Sequence, residues 1–143
     1  MNQIFIKQIG QIVMKVENIK FKAKRLDNCL WVEGSLLLSE KGKAYIGTVF
    51  DSNEENGSPV CFHCKPVDPS AICQFTGLRD TNDVPIFEGD IINFGGEGEV
   101  VFKDGAFSVK FGKYTECLLS SLVKSKESIT VVGSKFDRKE GKE

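Results

Sequence analysis

The stretch Glu99-Val100-Val101-Phe102-Lys103-Asp104-Gly105-Ala106-Phe107-Ser108-Val109-Lys110 decides the fold. Asp-Gly is a favoured pair for a two-residue hairpin turn, because both turn residues need positive φ. A turn at Asp104-Gly105 pairs Lys103 with Ala106 and Phe102 with Phe107. It then pairs Val101 with Ser108, Val100 with Val109, and Glu99 with Lys110. One face carries Val100, Phe102, Phe107 and Val109, and the other carries the opposite charges Glu99 and Lys110. A slip of one residue would turn the apolar set to the wrong face, so the pattern fixes the register.

Working outward, Gly89-Asp90 opens a strand at Ile91-Ile92-Asn93-Phe94 that stops at Gly95-Gly96. Residues 112–128 read as a connector with one helical turn around Leu118 to Val123, and Ile129 to Gly133 is the last strand. Upstream, Ile19, Phe21 and Ala23 alternate with Lys20, Lys22 and Lys24, the period of a strand with one buried face. Asp27-Asn28 turns the chain into Leu30-Trp31-Val32, with a two- or three-residue loop. Ala44 to Phe50 is a further strand, and Ile72 to Thr76 a short one. Between them, residues 51–70 combine Asp51, Glu54 and Glu55 with Asn56-Gly57-Ser58-Pro59, Pro66 and Pro69, which predicts a loop insertion. Many short strands with close turns predict an all-β protein built on a small barrel. Phe94, Phe102, Phe107 and Phe111 are assigned to its core; any of them left on the surface would mark a partner patch.

Composition bounds the function. The 143 residues are 41% hydrophobic and 27% charged, the balance of an ordinary globule rather than a disordered chain. Nineteen Lys and Arg face twenty Asp and Glu, for a net charge of -1, so no global field draws the chain to nucleic acid or anionic lipid. One His excludes a multi-histidine metal site. Five Cys, an odd number without a visible secretory signal, predict free thiols in a reducing cytoplasm. No apolar run approaches the roughly 18 to 20 residues of a membrane span, so no membrane partner is expected.

Two paired motifs carry a resemblance. Phe75-Thr76-Gly77-Leu78-Arg79-Asp80, followed by Ile86-Phe87-Glu88-Gly89-Asp90-Ile91-Ile92, resembles the central signature of the YopX-like phage and prophage protein family. Ile19-Lys20-Phe21, Arg25-Leu26-Asp27-Asn28 and Trp31-Val32-Glu33-Gly34 resemble its N-terminal hairpin, and Val131-Val132-Gly133-Ser134 its closing strand. The resemblance covers about residues 14–137. Cys29 and Asp83 stand where the family has Gly, which strains any turn that needs positive φ. The resemblance implies an all-β chain of N-terminal β-hairpins packed with a C-terminal SH3-like small barrel. It implies an origin in a phage, prophage or other mobile element, and no activity. The expected organisation is an extension at 1–13, a β-rich region at 14–75 with its loop insertion at 51–70, a barrel at 76–137 and a frayed tail at 138–143.

The candidate sites are few. Glu88 and Asp90 offer two nearby carboxylates for acid–base or cation chemistry, but a turn at a strand start explains them as well. The family-signature turn comprises Thr76, Gly77, Leu78, Asp80, Glu88, Gly89 and Asp90. Cys61, His63, Cys64 and Cys73 are zinc-ligand types, yet a structural zinc site wants four ligands and commonly two knuckles. A redox role needs a helix N-terminus at the first thiol, and Pro59 and Pro66 bracket a stretch with no helical pattern. Lys20, Lys22, Lys24 and Arg25 beside Trp31 could hold a phosphate backbone and stack a base. A solvated or aggregation-blocking strand face accounts for the same lysines. The expectation is therefore a non-enzymatic module without cofactor, metal or evident small-molecule substrate. It acts through a protein partner or self-association, with nucleic-acid binding through the basic strand as the alternative.

Overall fold

The computed structural model describes residues 18–51 and 59–138, with backbone alone at 49–51 and 59–62. The expected extension 1–13, loop residues 52–58 and tail residues 139–143 lie outside the described residues. The chain divides into two compact units, with the boundary between Gln74 and Phe75.

The first unit contains β1 (Phe21–Arg25), β2 (Trp31–Leu38), β3 (Ala44–Asp51) and most of β4 (Pro59–Arg79). All pairings are antiparallel, and β1 pairs with both β2 and β4, so the order β1-β2-β3-β4 closes on itself. Each strand thus has two neighbours, which β2 and β4 meet along successive stretches of their length. Inside the ring lie Ala23, Ala44, Ile46 and Val67, flanked by Phe21, Val32, Leu36 and Ile72. The alternation of Phe21 and Ala23 with lysines does mark the buried face, though Ile19 precedes the strand and is exposed.

Two expectations for this unit need correction. The β1–β2 loop holds four residues, Leu26 to Cys29, closed by Arg25 N–H donating to Leu30 O at 2.9 Å. Cys29 takes φ 61, the left-handed value the loop needs at its fourth position, and its N–H returns to Arg25 O at 3.0 Å. The predicted loop at 51–70 is also wrong over 59–70, which is strand. Its prolines mark a corner instead: Val67 pairs with Ala44 of β3 and then with Arg25 of β1, and the β1 register shifts there. At the corner Asp68 Oδ1 accepts from Ser70 N–H at 2.9 Å and from its hydroxyl at 2.7 Å, a local turn that Asp-Pro-Ser suits.

The second unit begins with the end of β4, where Phe75 pairs with Phe87 and Arg79 with Pro85 of β5 (Pro85–Phe87). It continues through β6 (Asp90–Asn93), β7 (Glu97–Lys103), β8 (Ala106–Phe111), β9 (Thr115–Leu118), helix α1 (Leu119–Lys124) and β10 (Thr130–Ser134). The sheet order is β10-β6-β7-β8-β9, all antiparallel. The β7–β8 register is the one read from the sequence, pair for pair, with Asp104 at φ 54 and Gly105 at φ 80 in the turn. The core comprises Ile86, Ile92, Val100, Val109, Leu119, Leu122 and Ile129. Phe94, Phe107 and Phe111 pack against it. Phe102 departs from the expected core: it is 51% exposed near the hairpin tip, its ring 5.0 Å from that of Phe107.

Candidate functional site

The signature turn is a hydrogen-bonded brace within the second unit. Thr76 Oγ1 donates to Ile86 O at 2.7 Å and accepts from Leu78 N–H at 3.1 Å. Gly77 between them takes φ 83, where a side chain is strained. Leu78 packs against the core. Asp80 is buried, with both oxygens engaged. Its Oδ1 accepts from Asn82 and Val84 N–H, both at 2.8 Å, and its Oδ2 from Val131 N–H at 2.9 Å. One carboxylate thus closes the turn before β5 and holds the last strand 51 residues away. Thr81 adds two bonds to Ile129, each 2.9 Å. Asp83 takes φ 64 in this turn.

Glu88, Gly89 and Asp90 form the matching half. Asp90 is 1% exposed, and its Oδ2 accepts from Phe87 N–H at 2.8 Å. Gly89 takes φ 85, donates to Val100 O at 2.8 Å and accepts from Lys135 N–H at 2.9 Å. A carboxylate turned inward to backbone donors is unavailable to a substrate, whereas Glu88 stays half-buried.

The basic face of β1 is drawn into local pairs. Lys22 Nζ stands 4.7 Å and Lys24 Nζ 5.4 Å from the Trp31 ring centroid. Lys20 lies 3.7 Å from a Glu33 carboxylate oxygen. Arg25 holds Asp27 in a two-point pair, at 2.9 Å from Nε and 2.6 Å from the terminal nitrogen. That guanidinium holds the Asp27 carboxyl below the usual carboxylate range. Hydrogen bonds from Ser70 do the same at Asp68. The structure therefore brings Lys22, Lys24 and Trp31 together as the sequence suggests. It pairs Lys20 and Arg25 with acids that the strand pattern left out.

The Cys61 side chain lies outside the described residues, and among the described residues the thiols do not gather. His63 and Cys64 are consecutive in β4 and oppose Thr48 and Gly47, so their side chains leave opposite faces of the strand. Cys64 Sγ packs over Gly47, and Cys73 is fully buried. Among the described residues no three His, Cys, Asp or Glu side chains are placed to hold a metal ion.

Residues 20–140 match the YopX protein family. The chain belongs to that family. The match runs through both units, and the two central motifs of the resemblance lie within it. No curated protein matches the chain. Among solved structures, protein EF1440 from Enterococcus faecalis is similar, at 22% identity over 81% of this chain and 92% of that one, with a TM-score of 0.49.

One grouping was not anticipated. Strands β7, β8 and β9 bring Lys103, Lys110, Lys113, Tyr114, Thr115 and Glu116 to a cleft of about 250 Å³. Registry creates it, since Lys110 opposes Glu99 on one side and Glu116 on the other. The sequence signal is thin: Lys113-Tyr114 in a Gly-led turn, and lysines spaced along a hairpin. No helix among the described residues is long and apolar enough to cross a membrane.

Proposed function

We propose that this chain is a non-enzymatic protein-binding module of a phage, prophage or other mobile element. It acts in the cytoplasm with reduced thiols. The observation that carries this reading is the use of the signature's polar groups. Thr76, Asp80 and Asp90 are spent on backbone partners, so the most distinctive residues of the chain build a scaffold rather than a reactive centre. Apolar side chains of the second unit meanwhile stand in solvent, among them Phe102, Leu118 and Val132, each about half exposed. Single exposed hydrophobics are ordinary, but Phe102 and Phe107, their rings tilted at 58° and 5.0 Å apart, form a pair that a partner can cover. The order β10-β6-β7-β8-β9, with a short helix before the last strand, supports reading this unit as SH3-like.

The test is affinity capture from host and phage lysates, with Phe102→Ser beside the unaltered chain. A specific captured protein that Phe102→Ser loses, with melting unchanged, supports the reading. Turnover that disappears in Glu88→Gln would defeat it.

The second reading is nucleic-acid binding through Lys22, Lys24 and Trp31, favoured by the two ammonium groups placed over one indole. Those ammonium groups also cover the ring, so a base must displace them to stack. Lys22→Ala/Lys24→Ala should weaken binding to single-stranded DNA and flatten its salt dependence. Unchanged affinity would remove this face from consideration.

A further inference from the structure

The cleft on β7–β9 has an unbalanced charge arrangement. Glu116 is engaged by Lys103 at 3.5 Å, and Glu99 by Lys135 at 3.3 Å. Both acids that face Lys110 across the sheet are thereby turned to other cations, and Lys110 makes no ion pair among the described residues. Lys113 reaches the edge of the same cleft, its Nζ 5.5 Å from the Tyr114 ring centroid. Three ammonium groups against one carboxylate leave this patch positive on a chain whose net charge is -1. Tyr114 is 89% exposed, an unusual placement for a ring of that size.

The geometry points to a binding site for single-stranded nucleic acid. Lys103, Lys110 and Lys113 hold the phosphates, and a base stacks on Tyr114. Ammonium groups supply the sequence-independent attraction to phosphate. An exposed ring offers a π-face that any base can cover, while Lys113 occupies part of its surroundings. At about 250 Å³ the cleft falls below the roughly 300–1,000 Å³ of pockets that enclose a small molecule. It suits a segment of a longer polyanion lying across it. This site lies in the second unit and uses none of Lys22, Lys24 or Trp31, so it stands or falls apart from the basic strand of the first.

The test is titration of the full chain with fluorescein-labelled oligothymidine over a salt series. Amide chemical shifts are followed in parallel. Binding should shift the signals of Lys103, Lys110 and Lys113 to Glu116. Tyr114→Ala should weaken it by about 5-fold or more. Lys110→Ala and Lys113→Ala should each lower the slope of log affinity against log salt by about 0.7. All three side chains are on the surface, so melting should stay unchanged and separate lost binding from lost folding. Lys22→Ala/Lys24→Ala should leave these shifts in place. The inference is overturned if the three variants bind as the unaltered chain does. It is equally overturned if poly-glutamate or inorganic phosphate binds as tightly as the oligonucleotide, or if no shifts appear at low salt.

Discussion

The two units solve the problem of a small β core differently. The first closes four strands into a ring around Ala23, Ala44, Ile46 and Val67, so two of its four innermost residues are alanines. The second leaves its sheet open and fills the space with larger side chains, Ile86, Ile92, Val100, Val109, Leu119, Leu122 and Ile129. The ring hands β2 from β1 to β3 and β4 from β3 to β1, and it encloses little side-chain volume. The open sheet depends on apolar burial and on a buried carboxylate, Asp80, that ties turn to strand.

The largest expected effect breaks that contrast at the apolar side. Leu119 is fully buried, and Leu119→Ala should destabilise the second unit by about 2–5 kcal/mol. Amide hydrogen exchange should show protection lost across 75–138 before 18–48. Equal loss in both would mean that the units unfold as one. The next effect targets the brace. Asp80→Asn keeps the shape but gives up an acceptor oxygen, leaving backbone N–H groups of the turn or of Val131 unmatched. A loss of about 1.5–3 kcal/mol is expected in denaturant melts, since these bonds are to a charged group. A neutral result would move the brace elsewhere.

Overpacking sharpens the comparison from the first unit. Ala23 is fully buried in the ring, so Ala23→Leu should cost about 1–3 kcal/mol, felt first in residues 18–48. Gly98→Ala is the counterpart in the second unit, because its Cβ would fall 2.6 Å from Val109 Cγ1 and 2.8 Å from the Phe111 ring. If the open sheet relaxes more easily, Gly98→Ala should be the milder of the two. Cys29→Gly should raise stability by a few tenths of a kcal/mol. It removes roughly 1–2 kcal/mol of left-handed strain at φ 61 and returns part of that as unfolded-chain entropy.

The smallest effect is electrostatic. The Arg25 pair lowers the Asp27 pKa in the fold, so its contribution is present above the ordinary aspartate value of about 3.9 and disappears as pH falls through the folded value. Both partners are solvent-exposed in part, and the stability change should be near the detection limit. A carboxyl-carbon NMR titration checks it directly: Arg25→Ala should move the Asp27 midpoint upward, and an unmoved midpoint would deny the pair its role.

Legibility tracked the range of the interactions. The β7–β8 hairpin could be read pair by pair because Asp104-Gly105 and its flanks carry turn chemistry, alternation and charge pairing within twelve residues. The signature Thr76 to Asp90 could be recognised but not explained. Asp80 bonds Val131, and Gly89 bonds Val100 and Lys135, all distant in sequence. The misjudged loop at 59–70 has the same origin. Pro66 and Pro69 argue locally against a strand, and only pairing with β3 and then β1 makes them a corner. Phe102 was legible as an inward-facing position, but its place near the hairpin tip carries it past the end of the core.

The sequence by itself determined the all-β class, the hairpin register, the cysteines' lack of a two-knuckle pattern and membership signals of the YopX family. These rest on short-range periodicity and turn chemistry, which neighbouring residues impose on one another. Only the tertiary structure decided that β1 joins β4 to close a ring, that Asp80 braces the last strand, and that Lys110, without an ion pair among the described residues, stands between two acids claimed by other lysines. Those are pairings between segments far apart along the chain. Their free energy depends on which strands become neighbours, and no local pattern of side chains encodes that choice.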